Sequence, residues 1–217
     1  YLDTFYEKMK KVYARVFSRV HLQTKVVKSS GGTFSKYSHE FQTIAEAGED
    51  TIFVDEKKKI AVNKEVLNDA VLKDLGLKKS DLIEKKAVEV GNIFSLGTKF
   101  SDAFDLVYLD EKGEKQKVIM GSYGIGPGRV MGTIVEVYND EKGMKWPETV
   151  APFKTHLIVL PGGEAEAEKI YNADSMLYDD RLDKTAGEKF ADADLIGCPV
   201  RIVVSKKTIE KESVEVK

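Results

Sequence analysis

The stretch GSYGIGPGRV, residues 121–130, holds the residue types best suited to chemistry. Gly124, Gly126 and Gly128 flank Pro127 and run directly into Arg129, and an apolar helix-like segment follows. The first turn of a helix already carries partial positive charge, so a cation there needs a negative partner. A P-loop would end in Gly-Lys-Ser/Thr, which is missing here. A dinucleotide fingerprint reads G-x-G-x-x-G, whereas the spacing here is G-x-G-x-G. A third arrangement is a strand entering a Gly-rich turn, then a helix headed by arginine. Glycines then let a flat ligand approach the backbone, and the arginine and helix terminus together hold a phosphate tail. The residues alone equally allow a Gly-Pro turn beside a surface arginine.

The segment SSGGTFSKYSHEFQ carries a second signal, with His39 beside Glu40 after the Gly31-Gly32 turn. A lone histidine is more often structural than catalytic. His21 and His156 are distant and have no ligand spacing, so no metal site is expected. No Ser/His/Asp or Cys/His arrangement is evident. In GNIFSLGTKFS, Gly91 and Gly97 bracket an apolar strand, which fits a close backbone approach, a bulge or a plain core strand. Farther on, Arg181, Lys184, Lys189, Arg201, Lys206 and Lys207 form either a basic face or ordinary solvated surface. Tyr178 and Phe190 lie among them and are suited to base stacking.

The 217 residues are enough for one large domain or two ordinary ones, and 42% are hydrophobic, which permits a packed core. The net charge of −2 excludes a globally basic surface, so any nucleic acid must meet a local patch. The single cysteine, Cys198, has no disulfide partner, which points to a reducing, cytoplasmic setting. No 18-residue apolar run or signal peptide is visible, so no membrane role is expected. The chain opens on Tyr1 without a helix cap, and the expectation is that it starts inside a larger protein.

The elements that must position these residues follow from periodicity. Residues 2–20 place apolar side chains at spacings of three and four, an amphipathic helix. Strands are expected in TKVVKSS, after the Gly-Gly turn, in DTIFVDE, in KKIAVN and in AVEVGN. A helix is expected over 64–76, ending at Gly76. DLVYLDEKGEKQKVIMGSYG reads as a hairpin around Gly113, and 129–138 as a buried helix. The turn-rich NDEKGMKWPETVAPFK marks a domain boundary near residue 150. Beyond it strands and helices alternate, as in a small α/β domain with parallel strands. The short join between the helix at 164–173 and the next strand predicts a clipped helix or residues absent near 173–176.

Taken together, GG…SHEFQ…AGED, EVGNIFSLGTKFS, GSYGIGPGRV, WPETVAPF and YDDR…AGEKFADADLIGCPVRIVV resemble the prolyl-tRNA synthetases, class II aminoacyl-tRNA synthetases of the bacterial-related type, in the family's order. The resemblance implies an α+β class II catalytic core over 1–150, an antiparallel sheet flanked by helices with its N-terminal part missing. A small α/β anticodon-binding domain over 151–217 would follow. It implies ATP-dependent ligation of L-proline to tRNA(Pro) through prolyl-adenylate, with Mg2+, and a homodimer. By the same resemblance Arg129 is the catalytic residue and binds the ATP phosphates, and Gly124, Gly126 and Gly128 leave room for the nucleotide. His39, Glu40, Gly31 and Gly32 are expected around proline, on a sheet shared with Arg129. Thr98 and Lys99 lie near the site, and Asp180, Arg181 and Lys189 are expected at the anticodon.

The first and second signature motifs of the class are not found, so this chain is expected to hold only the later half of the active site and not to activate proline alone. About thirty residues separate FVDEK from EVGN. An independent domain usually needs about 50, so no editing insertion is expected there. Two other assignments remain: another class II synthetase of the threonyl, glycyl or histidyl group, or a non-catalytic synthetase-like fragment that binds tRNA.

Overall fold

The computed structural model describes residues 2–217, in two compact units, 1–133 and 134–217. In the first unit, helix α1 (Leu2–Arg19) is followed by strands β1 (Thr24–Ser30), β2 (Tyr37–Ile44), β3 (Asp50–Asp55) and β4 (Ile60–Asn63). Helix α2 (Asp69–Asp74), the long strand β5 (Ile83–Gly97), helix α3 (Lys99–Ala103) and strands β6 (Val107–Leu109), β7 (Lys115–Lys117) and β8 (Met120–Ile125) complete it. Helix α4 (Pro127–Val137) begins in this unit and spans the division between the two.

The main sheet runs β2-β1-β4-β3-β5-β8, and an extra pairing of β2 with β5 closes β1, β2, β5, β3 and β4 into a ring, with β8 attached to β5 outside it. All pairings are antiparallel except β1 with β4. Alternation along each strand gives the ring an inner and an outer surface. Val27, Ile52, Val54, Ala61 and Ala87 form an inner core. On the outer surface Phe41 packs against Tyr13 and Phe17 of α1, ring centroids 4.9 and 5.6 Å away. The spacing of Tyr6, Tyr13 and Phe17 is what buries that side of α1.

The segment expected as one helix over 64–76 is broken. A 3-10 turn at Lys64–Val66 stops, and Asn68 caps a new helix by accepting from the Val71 N–H. Gly76 follows α2 with φ +62°, the left-handed conformation that terminates helices. The expected hairpin is small, β6 with β7 around Gly113 (φ +80°), and its second arm continues into the main sheet as β8. Helix α4 is not buried as expected: Thr133 and Ile134 are buried, while Met131 is 58% exposed.

The second unit holds a two-residue hairpin of β9 (Asn139–Asp140) and β10 (Gly143–Met144), then β11 (Thr155–Val159), α5 (Glu164–Ile170), β12 (Met176–Asp179), α6 (Ala186–Ile196), β13 (Val200–Val204), α7 (Lys206–Ile209) and β14 (Glu215–Val216). Its sheet runs β12-β11-β13-β14, the first three parallel. Ala167 of α5 packs with Leu157, Val159 and Val204 on one side, and Ala193 of α6 with Ile158 and Val203 on the other. The helix expected over 164–173 is short, and residues 160–175 together complete the crossover from β11 to β12. Thr185 and Glu188 cap α6 reciprocally, and Gly197 ends it at φ +73°.

Candidate active site

Arg129 sits in the first turn of α4, where β8 and the glycine-rich turn deliver it. Its guanidinium Nη1 donates to the Glu89 carbonyl and to Glu89 Oε2, both at 3.1 Å. Nη2 lies 3.5 Å from Glu49 Oε1. These carboxylates are the negative partners that a cation at a helix start requires. The side chain remains 48% exposed, so it is open to a ligand. A shallow cleft of about 210 Å³ joins Arg129 to Glu89, Asn92, Gly124 and Gly126.

Strand register decides what else shares this surface. Glu40 pairs with Asn92, and Asn92 with Gly124, so these three point the same way across β2, β5 and β8. Asn92 donates to Glu89 Oε1 at 2.8 Å, tying that row to Arg129's partner. Gln42 donates to Glu40 at 2.6 Å and to Asp50 at 2.9 Å, and Asn63 to Glu40 at 3.2 Å. Burial pushes the Glu40 carboxyl up, partly offset by hydrogen bonds from Gln42 and Asn63. Burial also raises Asp50, reinforced by Glu89 and Glu49. The surface is therefore polar and acidic, with Arg129 as its cation.

His39 does not belong to it. His39 pairs with Ile93, which pairs with Tyr123, the alternate row that faces α1. Its Nδ1 lies 2.9 Å from the Tyr6 hydroxyl, which donates to the Ile93 carbonyl, also at 2.9 Å. Burial first, then Lys10 and Lys28, push the imidazole down to about 4. His39 does share the sheet with Arg129's site, as expected, but its side chain lies on the other face, so its expected place beside Arg129 around proline is corrected. Neighbouring residues of a strand point to opposite sides, and Glu40, not His39, is on Arg129's side.

Gly31 and Gly32 serve the β1–β2 turn. A Cβ on Gly31 would overlap the Ser35 carbonyl oxygen, and Gly32 has φ +57°. This turn meets α3: Lys99 Nζ donates to Thr33 Oγ1 at 2.5 Å and lies 4.7 Å from the Phe34 ring centre. Thr98 donates to Asp102 at 2.8 Å, within α3's own first turns. None of Gly124, Gly126 and Gly128 has positive φ, and a Cβ on Gly128 would meet open space.

In the second unit, Asp180 is exposed and Arg181 is held by Asp179 (2.9 and 2.7 Å) and Asp192 (2.8 Å). Those hydrogen bonds from Arg181 hold the Asp179 carboxyl low. Lys189 is only 3% exposed, and its ammonium donates to the carbonyls of Val159 at 2.8 Å and Asp179 at 3.2 Å. It faces inward and has no free donor face for a nucleotide, which corrects its assignment to the anticodon surface. Sequence reasoning missed Glu49, Asp50, Glu89 and Asn92. Glu89 had one signal, an acid between two valines in the middle of a strand.

Residues 2–138 match the family model for the tRNA synthetase class II core domain (G, H, P, S and T), and residues 156–217 match the anticodon binding domain. The chain belongs to the class II aminoacyl-tRNA synthetases of that group. Among curated proteins it is 37% identical over 228 aligned residues to proline–tRNA ligase of Wolbachia sp. subsp. Drosophila simulans (strain wRi), covering 98% of this chain and 54% of that protein. Against proline–tRNA ligase of Bacillus subtilis (strain 168) it is 47% identical over 135 residues, 58% of this chain and 24% of that protein. The structure of Giardia lamblia prolyl-tRNA synthetase in complex with prolyl-adenylate superposes with TM-score 0.69 at 18% identity, covering 97% of this chain and 38% of that one. The chain thus spans about half the length of the first of these ligases. Among the described residues no helix is long and apolar enough to cross a membrane.

Proposed function

We propose that these residues belong to a proline–tRNA ligase, which activates L-proline with ATP and transfers it to tRNA(Pro). The observation that carries this is the 37% identity to a curated proline–tRNA ligase across 98% of the chain. Residues 1–150 form the later half of the catalytic domain and 151–217 the anticodon-binding domain. The family matches to 2–138 and 156–217 support two domains, while the compact units of the structure divide earlier, between residues 133 and 134. Cytoplasmic location and a homodimer are part of the same proposal.

The chemistry asks little of acid–base groups. A proline carboxylate oxygen attacks the α-phosphorus of ATP and pyrophosphate leaves. The terminal ribose hydroxyl of tRNA then attacks the prolyl carbonyl and AMP leaves. Positioning and charge stabilisation dominate such a transfer. Arg129 exchanges Glu89 and Glu49 for the polyphosphate, and the helix start adds its own positive end. Gly124, Gly126 and Gly128 keep the approach open. Glu40 and its hydrogen-bonded neighbours offer the polar anchor for the amino acid from Arg129's side of the sheet. Gly31, Gly32, Thr98 and Lys99 border the site from the turn and α3. Asp180 and Arg181 face the anticodon.

The donor set also fits magnesium, which takes one or two carboxylates and completes its shell with phosphates and water. Glu89 and Glu49, the carboxylates beside Arg129, would hold it. When bound, it neutralises phosphate charge.

The test is amino-acid-dependent ATP–pyrophosphate exchange by the full-length protein that contains these residues. Proline alone among proline, threonine, glycine and histidine is expected to support exchange. Exchange with another of the four, or with none, contradicts the proposal.

A further inference from the structure

The turn between β1 and β2, residues 31–36, is tied to α3 by three contacts that strand pairing does not require. Lys99 Nζ donates to Thr33 Oγ1 at 2.5 Å and lies 4.7 Å from the Phe34 ring centre. Phe34 stacks on Phe100, ring centroids 5.5 Å apart. Lys99 is exposed and makes no ion pair among the described residues, so its charge is directed at the turn alone.

The base of the turn is joined to Arg129's side of the sheet by hydrogen bonds. Ser38, on Glu40's side of β2, donates through Oγ to the Ser30 carbonyl at 2.7 Å. The Ser30 N–H donates to Glu65 Oε1 at 2.8 Å. The Glu65 N–H donates to Asn63 Oδ1 at 3.2 Å, and Asn63 Nδ2 donates to Glu40 at 3.2 Å. A continuous run of hydrogen bonds therefore links the turn to Glu40.

Strand direction puts both partners of the contact at one end of that surface. β2 runs from the turn toward Glu40, and its antiparallel neighbour β5 runs from Asn92 to Gly97 and on into α3. The tip of the turn is thus fixed by α3, and its base by the run that ends at Glu40. Arg129 is delivered separately, by β8 and the glycine-rich turn.

We propose that Lys99 is a positioning residue: by latching the β1–β2 turn to α3 it holds Glu40's end of the site in the arrangement that takes the amino acid. The identity of that ligand rests on the ligase reading, whereas the latch itself does not. Lys99 acts through Thr33 and Phe34 and does not touch substrate. When the latch opens, the competent fraction of the site falls, and apparent affinity falls by the same factor. A hydrogen bond from a charged donor and an exposed cation–π contact together are on the scale of about a tenfold change. The ATP end, carried by Arg129, is expected to be indifferent.

Limited chymotrypsin digestion of the full-length protein, read by mass spectrometry at the bond after Phe34, reports opening of the turn whatever the reaction. Lys99→Met keeps the stem and removes the charge, and should speed that cleavage about tenfold. Lys99→Arg keeps a cation and a donor and should restore the original rate, and Thr33→Val, which removes only the acceptor, should speed it by a smaller factor. In proline-dependent pyrophosphate exchange, Lys99→Met should raise KM for proline about tenfold and leave kcat and KM for ATP unchanged, with Lys99→Arg restoring KM. Unchanged cleavage in Lys99→Met overturns the latch. Faster cleavage with an unchanged KM for proline overturns the positioning role. A fall in kcat, an equal rise in KM for ATP, or no rescue by Lys99→Arg overturns it too, because each marks a direct contact with substrate. Absence of proline-dependent exchange in the unaltered protein overturns the ligase reading alone, and the cleavage rates still decide the latch.

Discussion

Replacing Lys189 with alanine separates a structural role from an RNA-reading one. The ammonium donates to two carbonyls, Val159 at 2.8 Å and Asp179 at 3.2 Å, and lies 3.6 Å from the Asp179 carboxylate. The Lys189 and Asp179 side chains are 3% and 4% exposed, so water does not readily replace what is removed. Breaking a buried pair by deleting one partner costs about 3–5 kcal/mol. Arg181 keeps its grip on Asp179, which removes part of that penalty. Two hydrogen bonds from a charged donor nevertheless vanish, at about 1.5–3 kcal/mol each, so about 3–4 kcal/mol is the expected loss. With a urea m-value of about 2 kcal/mol per molar, the midpoint of the C-terminal unit should fall by about 1.5–2 M. Trp146, which lies in this unit, reports the transition by fluorescence. Lys189→Met, which restores the stem, should recover the packing share of the loss and not the hydrogen bonds. An unshifted midpoint, accompanied by weakened binding of tRNA, would refute the structural assignment and return Lys189 to the anticodon surface.

Other perturbations follow from the same geometry. Tyr6→Phe removes the hydroxyl that bridges His39 and the Ile93 carbonyl, and urea melts should show a loss of about 1–3 kcal/mol. The His39 imidazole sits at about 4 when folded against 6.5 when free, so the unfolded chain binds more protons between those values. Its contribution is complete above pH 6.5 and is lost as pH falls toward 4, by up to about 3 kcal/mol; His39→Gln should flatten the stability profile in that window. Gly197→Ala combines a left-handed backbone (φ +73°) with overlap on the Met144 carbonyl. It should lower the melting temperature well beyond the few degrees expected of about 1 kcal/mol in a unit this size, by calorimetry.

Much of this fold was legible from local pattern. The apolar spacing of α1, the Gly-Gly turn before β2, the helix stop at Gly76 and the strand–helix alternation after residue 150 are all properties of short windows. What failed depended on partners far along the chain. His39 and Glu40 obviously face opposite ways, but which of them shares Arg129's surface is settled by the pairing of β2 with β5 and β5 with β8. Arg129's own partner, Glu89, lies 40 residues away. Helix α4 reads as buried because Val130, Met131, Ile134, Val135 and Val137 surround its axis, yet only Ile134 among them is fully buried. Lys189 was recoverable: it precedes Ala193 by four residues, on the stripe that α6 buries.

Arg129, at the head of α4, is proposed to hold the triphosphate. The most direct measurement is the ATP dependence of proline-driven pyrophosphate exchange in the full-length protein, with Arg129 intact and with Arg129→Ala. Because the side chain is 48% exposed and its ion pairs lie at the surface, the variant should fold with nearly unchanged stability. Its kcat/KM for ATP should nonetheless fall by about 10²–10³, the scale of losing one preorganised charge-stabilising donor. A folded Arg129→Ala enzyme that uses ATP as well as the unaltered protein would contradict the claim.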